Sequence, residues 1–182
     1  MKKALIAACL AGSVAAPAAA QTTTFNWGGF AKLDVIYSSF SDGAIAQSTS
    51  RDFYVPGTIP VSDGTGTGLR RNYLDMHAKE TRLFLSTQTD VGTAHKLGGH
   101  VEFDFISGQV PPASGGGNEA VTNAYNPALR RAFITYDKWL FGQDWSTFTN
   151  LGAIPETLDF VAFASDGTTF ARQPMIRYTH GP

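Results

Sequence analysis

Between Lys96 and Ser107 the chain reads KLGGHVEFDFIS, and its apolar and polar positions alternate. Successive side chains of a strand point to opposite sides. Val101, Phe103 and Phe105 therefore share one face, and His100, Glu102 and Asp104 share the other. The same period predicts five further strands. Trp27–Tyr37 sets Ala31, Leu33, Val35 and Tyr37 against Lys32 and Asp34. A second, roughly Met76–Gln88, alternates Thr81, Leu83 and Leu85 with Glu80, Arg82 and Ser86, while its first half is too polar to assign a side. Leu129–Asp137 places Ala132, Ile134 and Tyr136 opposite Arg131, Phe133, Thr135 and Asp137. Arg130 takes the apolar parity there and is expected to snorkel to a rim or lie in a loop. Trp139–Trp145 follows at once with ambiguous faces. Arg172–His180 sets Pro174, Ile176 and Tyr178 against Gln173, Met175, Arg177 and Thr179. Pro174 cannot donate to a ladder, so it belongs near the strand's start or at a bulge.

The connections alternate in length. Residues 38–75, 107–128 and 146–171 are long and rich in small or polar residues, whereas 89–95 and Asp137-Lys138 are short. Short turns at one end and long loops at the other characterise transmembrane barrels. Strands of about 9–11 residues match a tilted bilayer crossing. Tyr37, Tyr136, Trp139 and Tyr178 fall near strand ends, where interface girdles form. A secreted β-sandwich, serving carbohydrate binding or adhesion, shares several of these ingredients and is the alternative. Long loops at only one end, with both signs of charge on several strands, suit it poorly. The expected fold is an all-β, antiparallel transmembrane β-barrel, of which about six strands are present.

Composition sharpens this picture. MKK, the run ALIAACLAGSVAA and the small residues ending at Ala20 form a secretory signal peptide over residues 1–20. That run is too short to span a bilayer as a helix, which takes about 20 apolar residues. A lipoprotein site at Cys9 is opposed by the scant apolar stretch before it. Residues 21–182 then hold no cysteine and carry 12 basic against 15 acidic residues, a net charge of −3. That balance excludes a disulfide-stapled module and gives no support to a nucleic-acid partner. An exported, cysteine-free, Gly- and aromatic-rich chain without a long apolar helix points to the bacterial cell outer membrane.

Longer segments carry a specific likeness. RDFYVPGTIP (Arg51–Pro60), DMHAKETRLFLST (Asp75–Thr87), NPALRRAFITYDKWLFGQDWSTF (Asn126–Phe148), GAIPETLDF (Gly152–Phe160) and RQPMIRYT (Arg172–Thr179) occur in order. In these the chain resembles the DcaP-type trimeric outer-membrane porins. The resemblance implies a sixteen-stranded barrel embedded in outer-membrane lipid, assembled as a homotrimer, through which small anions, notably dicarboxylates, diffuse. Six strands cannot close a transmembrane barrel, the smallest having eight. Residues 21–182 are therefore expected to be the N-terminal part of a longer porin β-barrel.

In that frame the apolar faces meet lipid and the polar faces meet a water-filled lumen. A charge pointing into lipid at mid-depth costs about 2–4 kcal/mol, which fixes the polarity of each strand. Lys32, Arg82, His100, Arg131 and Arg177 become the pore-lining, solute-contacting candidates, since a guanidinium fork suits carboxylate solutes. The loop Ser146–Ala171 is the third long one and is expected to fold inward and constrict the pore. Its Glu156 and Asp159 would face the basic wall and set up a transverse field. Glu102 and Asp104 could instead bridge neighbouring arginines. No catalytic residue, cofactor or metal is expected: the chain has no nucleophile elbow, His pair or phosphate-cradling loop, and one strand rarely supplies three metal ligands. The intact mass of the protein in its host's outer membrane tests the barrel expectation. A mass about double that of this chain or more is expected, because the resemblance implies a barrel of sixteen strands where six are read here.

Overall fold

The computed structural model describes residues 21–45, 57, 59–61, 69–106, 125–154 and 171–180. Eight strands are formed: β1 Thr23–Phe30, β2 Asp34–Phe40, β3 Arg71–His77, β4 Arg82–Val91, β5 His95–Asp104, β6 Ala128–Tyr136, β7 Trp139–Trp145 and β8 Arg172–Tyr178. They build an antiparallel six-stranded sheet, β1-β4-β5-β6-β7-β8, and a two-stranded sheet, β2-β3. The larger sheet is open, with β1 and β8 at its edges.

The six predicted strands are present, but the first two are each interrupted. Trp27–Tyr37 divides into β1 and β2, and its partner divides into β3 and β4. An ionic knot marks the break: the Lys32 ammonium donates to Glu80 and lies 3.2 Å from Asp34. The Lys32 amide donates to the Thr81 hydroxyl, and a turn from Ala78 to Thr81 closes the other side. Pro174 is the third residue of β8, near its start as expected.

Faces follow the sequence pattern with an unusual burial. Trp27, Leu83, Leu85, Ile134, Phe141, Ile176 and Tyr178 share the apolar face and are exposed, Trp27 by 80% and Ile176 by 71%. Val35, Tyr37, Leu74 and Met76 continue it on the smaller sheet. The buried set among the described residues is mainly polar: Asp34, Asp75, His77, Glu102, Asp104, Arg130 and Asp144 belong to it, while few large apolar residues such as Ile36 and Leu140 do. Soluble proteins bury apolar side chains and pair the few charges they enclose. This sheet does the reverse, so a sandwich, whose core is the apolar face of each sheet, does not describe it.

The short turns set the register. Tyr136 pairs with Trp139 across the two-residue turn Asp137-Lys138, where Asp137 adopts φ 48°. A short polar side chain that bonds locally tolerates this left-handed conformation. The Asp137 carboxylate accepts from the Lys96 amide at 2.9 Å and meets His95 Nδ1 at 2.7 Å, tying the start of β5 to the β6–β7 turn. Beside it, Tyr136 stacks on His95 and Trp139 meets Tyr178 at a tilt of 49°, so three of the four predicted aromatics gather at this end, while Tyr37 lies on β2 of the smaller sheet. The Lys96 amide, then the His95 contact, holds the Asp137 carboxyl below its ordinary range. A depressed carboxyl stabilises the fold above its unfolded value of about 3.9, and that contribution is lost as pH falls through the lowered value. Asp137→Ala is expected to lower the temperature of the folded-to-unfolded gel shift in detergent at pH 7. The deficit relative to the unsubstituted protein should shrink below about pH 3, once the carboxyl is protonated.

Candidate functional site

The polar face of the larger sheet carries charges of alternating sign from strand to strand. β4 contributes Arg82, β5 Glu102 and Asp104, β6 Arg130 and Arg131, β7 Asp144 and β8 Arg177. Arg82 lies 3.9 Å from Glu102 and 3.7 Å from Asp104. Arg130 Nε donates to Glu102 at 2.8 Å, and its Nη1 donates to Asp104. Arg131 Nε donates to Asp144 at 2.7 Å and its Nη1 sits 3.7 Å from Glu102. Arg177 closes the series, donating to the other Asp144 oxygen at 3.0 Å. Each carboxylate is held between guanidinium groups of other strands, the arrangement that offsets the desolvation of a buried charge.

A β-bulge makes this possible. The β5–β6 register shifts between Glu102 and Phe103, so that Glu102 is opposite Arg131 while Phe103 is opposite Leu129. Arg130 is the extra residue. A bulge re-aims side chains, and here it turns Arg130 onto the polar face beside Arg131. The expectation that Arg130 would snorkel to a rim or lie in a loop is thus overturned: it is in β6, 3% exposed and bonded to two carboxylates. Trp145 stacks in the same region, its ring centroid 5.9 Å from the Arg130 guanidinium and 5.1 Å from that of Arg172.

A second row runs beside the charges. Phe84, His100 and Phe133 stack across β4, β5 and β6, with centroids 5.8 and 5.1 Å apart and interplanar angles of 24° and 21°. Gly28 on β1 leaves room for the Phe84 ring, whose tip would lie 2.8 Å from an added Cβ. Gly142 on β7, at φ 135°, lets β6 approach so closely that a Cβ would fall 2.3 Å from the Ala132 carbonyl oxygen. The Arg131 guanidinium lies 5.1 Å from the Phe133 centroid and joins the two rows.

The candidates from sequence are distributed as follows. Arg82, Arg131 and Arg177 stand together on the polar face, with about a quarter to a third of each side chain exposed. Glu102 and Asp104 bridge arginines, one of the two roles open to them. His100 is on the same face but between two rings, with its Nε2 3.7 Å from Glu102. Lys32 stands apart in the knot with Asp34 and Glu80. Glu156 and Asp159, with most of the loop they occupy, lie outside the described residues. Asp144 and Arg130 are the additions. The two-residue hairpin signals the first, because an outward Tyr136 places Trp139 outward and Asp144 inward by parity. Two consecutive arginines in one strand signal the second.

With this geometry in hand, likeness to known proteins gains meaning. No protein-family model matches the chain, and no curated protein does. Among solved structures it is similar to the outer membrane channel DcaP of Acinetobacter baumannii. Identity is 27% and the TM-score 0.54, over 88% of this chain and 38% of that one. This chain therefore spans well under half the length of the channel it resembles. The likeness supports a porin-like, outer-membrane reading, and the all-β, two-faced sheet agrees with it. Within the ladder, Asp104→Ala would take from Arg130 one of the two carboxylates it bonds among the described residues. Removing one partner of a buried ion pair costs about 3 kcal/mol or more, so a large fall in urea midpoint is expected. An unchanged midpoint would show that the Asp104 contact contributes little.

Proposed function

We propose that this chain forms part of the wall of an outer-membrane diffusion channel for small hydrophilic solutes, preferentially small anions such as dicarboxylates. One observation carries the reading: a sheet whose exposed face is apolar and whose opposite face bears an arginine-rich ionic ladder. Lipid has no polar groups to meet a charged strand face, and water has little use for a continuous apolar one, so the two faces require two solvents. The likeness to an outer membrane channel supports the same assignment.

On this reading Arg82, Arg131 and Arg177 present the N–H groups not used by the wall carboxylates to passing solutes. Guanidinium forks match carboxylates, and their field raises the local concentration of anions. Lys32 and His100 line the same water-filled space at its margins. Glu156 and Asp159, on a loop proposed to fold inward, supply the opposing charge across a constriction. Export by a signal peptide over residues 1–20, insertion into outer-membrane lipid, closure with further strands and assembly as a homotrimer complete the proposal.

The test is electrical. Protein purified from outer membranes and inserted into planar bilayers should conduct, and a salt gradient should give a reversal potential of anion-selective sign. Arg177→Ala is expected to move that potential toward zero, because Asp144 keeps its Arg131 partner while one positive charge is lost from the wall. An unmoved potential would remove Arg177 from the selectivity residues, and absence of conductance in the unsubstituted protein would defeat the channel reading.

A further inference from the structure

We infer that Arg130, a residue too buried to touch a permeating solute, sets how strongly positive this wall is. The inference rests on the channel reading and deepens it. Arg82, Arg131 and Arg177 keep part of their surface exposed, whereas Arg130 is 3% exposed and Asp104 1%. Arg130 spends its donors on Glu102 and Asp104, both from β5. Those carboxylates lie 3.9 and 3.7 Å from Arg82, and Glu102 is 3.7 Å from Arg131. Arg130 thus neutralises acids that would otherwise draw Arg82 and Arg131 against the wall. It frees their remaining donors and adds a positive charge that little water screens.

The balance is close enough for one residue to matter. Within the ladder, among the described residues, four guanidinium groups (Arg82, Arg130, Arg131, Arg177) face three carboxylates (Glu102, Asp104, Asp144), and Arg172, whose guanidinium shares the Trp145 ring with that of Arg130, adds a fifth positive charge beside them. Without Arg130, Glu102 and Asp104 would fall to Arg82 and Arg131, the two part-exposed groups beside them. The device that places it there is the bulge at Glu102, since in an unbulged β6 this side chain would point to the apolar face. Arg130 acts through its neighbours and is therefore a positioning and specificity residue.

The experiment compares reversal potentials in a potassium chloride gradient for the protein purified from outer membranes. Arg130→Met should lower the chloride-to-potassium permeability ratio about two- to ten-fold, the scale on which wall charge changes local ion concentration. Asp104→Asn, which leaves Arg130 held by Glu102, should raise the ratio by a similar factor. The double variant Arg130→Met/Asp104→Asn removes one charge of each sign and should return the ratio most of the way. A purely structural role for Arg130 would not produce shifts of opposite sign that cancel. Should Arg130→Met fail to insert, Asp104→Asn decides alone. Conducting channels whose ratio stays put in the variants that insert overturn this inference only. Unsubstituted protein that opens no channels overturns the channel reading and the inference with it.

Discussion

Carboxylates gripped between arginines of neighbouring strands are the interaction on which the rest of this structure depends. Glu102, Asp104 and Asp144 are each more than nine-tenths buried, and isolation of any one would be costly. Their partners arrive from other strands, so the ladder exists only while β4 to β8 keep their register. A slip of one residue would send every charge to the apolar face and every apolar side chain to the polar one. Ionic pairing and strand pairing thus enforce each other, and the tie from Asp137 to Lys96 and His95 fixes the same register from the turn end.

Much of this was legible because the period of two is strict where both faces matter. Val101 and Glu102, Ile134 and Arg131, Ile176 and Arg177 all take the sides their spacing predicts. What escaped has local causes. The interruption of the first two strands depends on Lys32 meeting Glu80, a contact 48 residues apart that no local pattern announces. Counting by two puts Arg130 on the apolar face because it assumes an unbroken ladder, and a bulge shifts the count by one. Asp144 does not stand out within Trp139–Trp145 alone, whose faces are ambiguous; the tight turn before it carries the parity over. Arg82, Arg131 and Arg177 converge as a site, while Lys32 occupies a separate cluster and His100 an aromatic one.

Burial speaks against one of the architectures that the strand pattern left open. A sandwich and a barrel wall can share alternation, turns and glycine content. They differ in which face water avoids. Exposure of Trp27, Leu85, Ile134 and Ile176 together with concealment of Asp34, Asp104 and Arg130 is the inverse of a water-soluble core. The hydrophobic effect has nothing to gain from that arrangement in water, and in a bilayer it is the expected one.

The glycine beneath Phe84 has a bearing on the relief of the polar face. Because Gly28 has no side chain, the Phe84 ring reclines over the next strand instead of standing upright, and His100 and then Phe133 each lie within 24° of the ring before. Rings lying down take little radial depth. Beside the guanidinium groups the polar face therefore keeps a low aromatic shoulder, an apolar step set directly against a charged row.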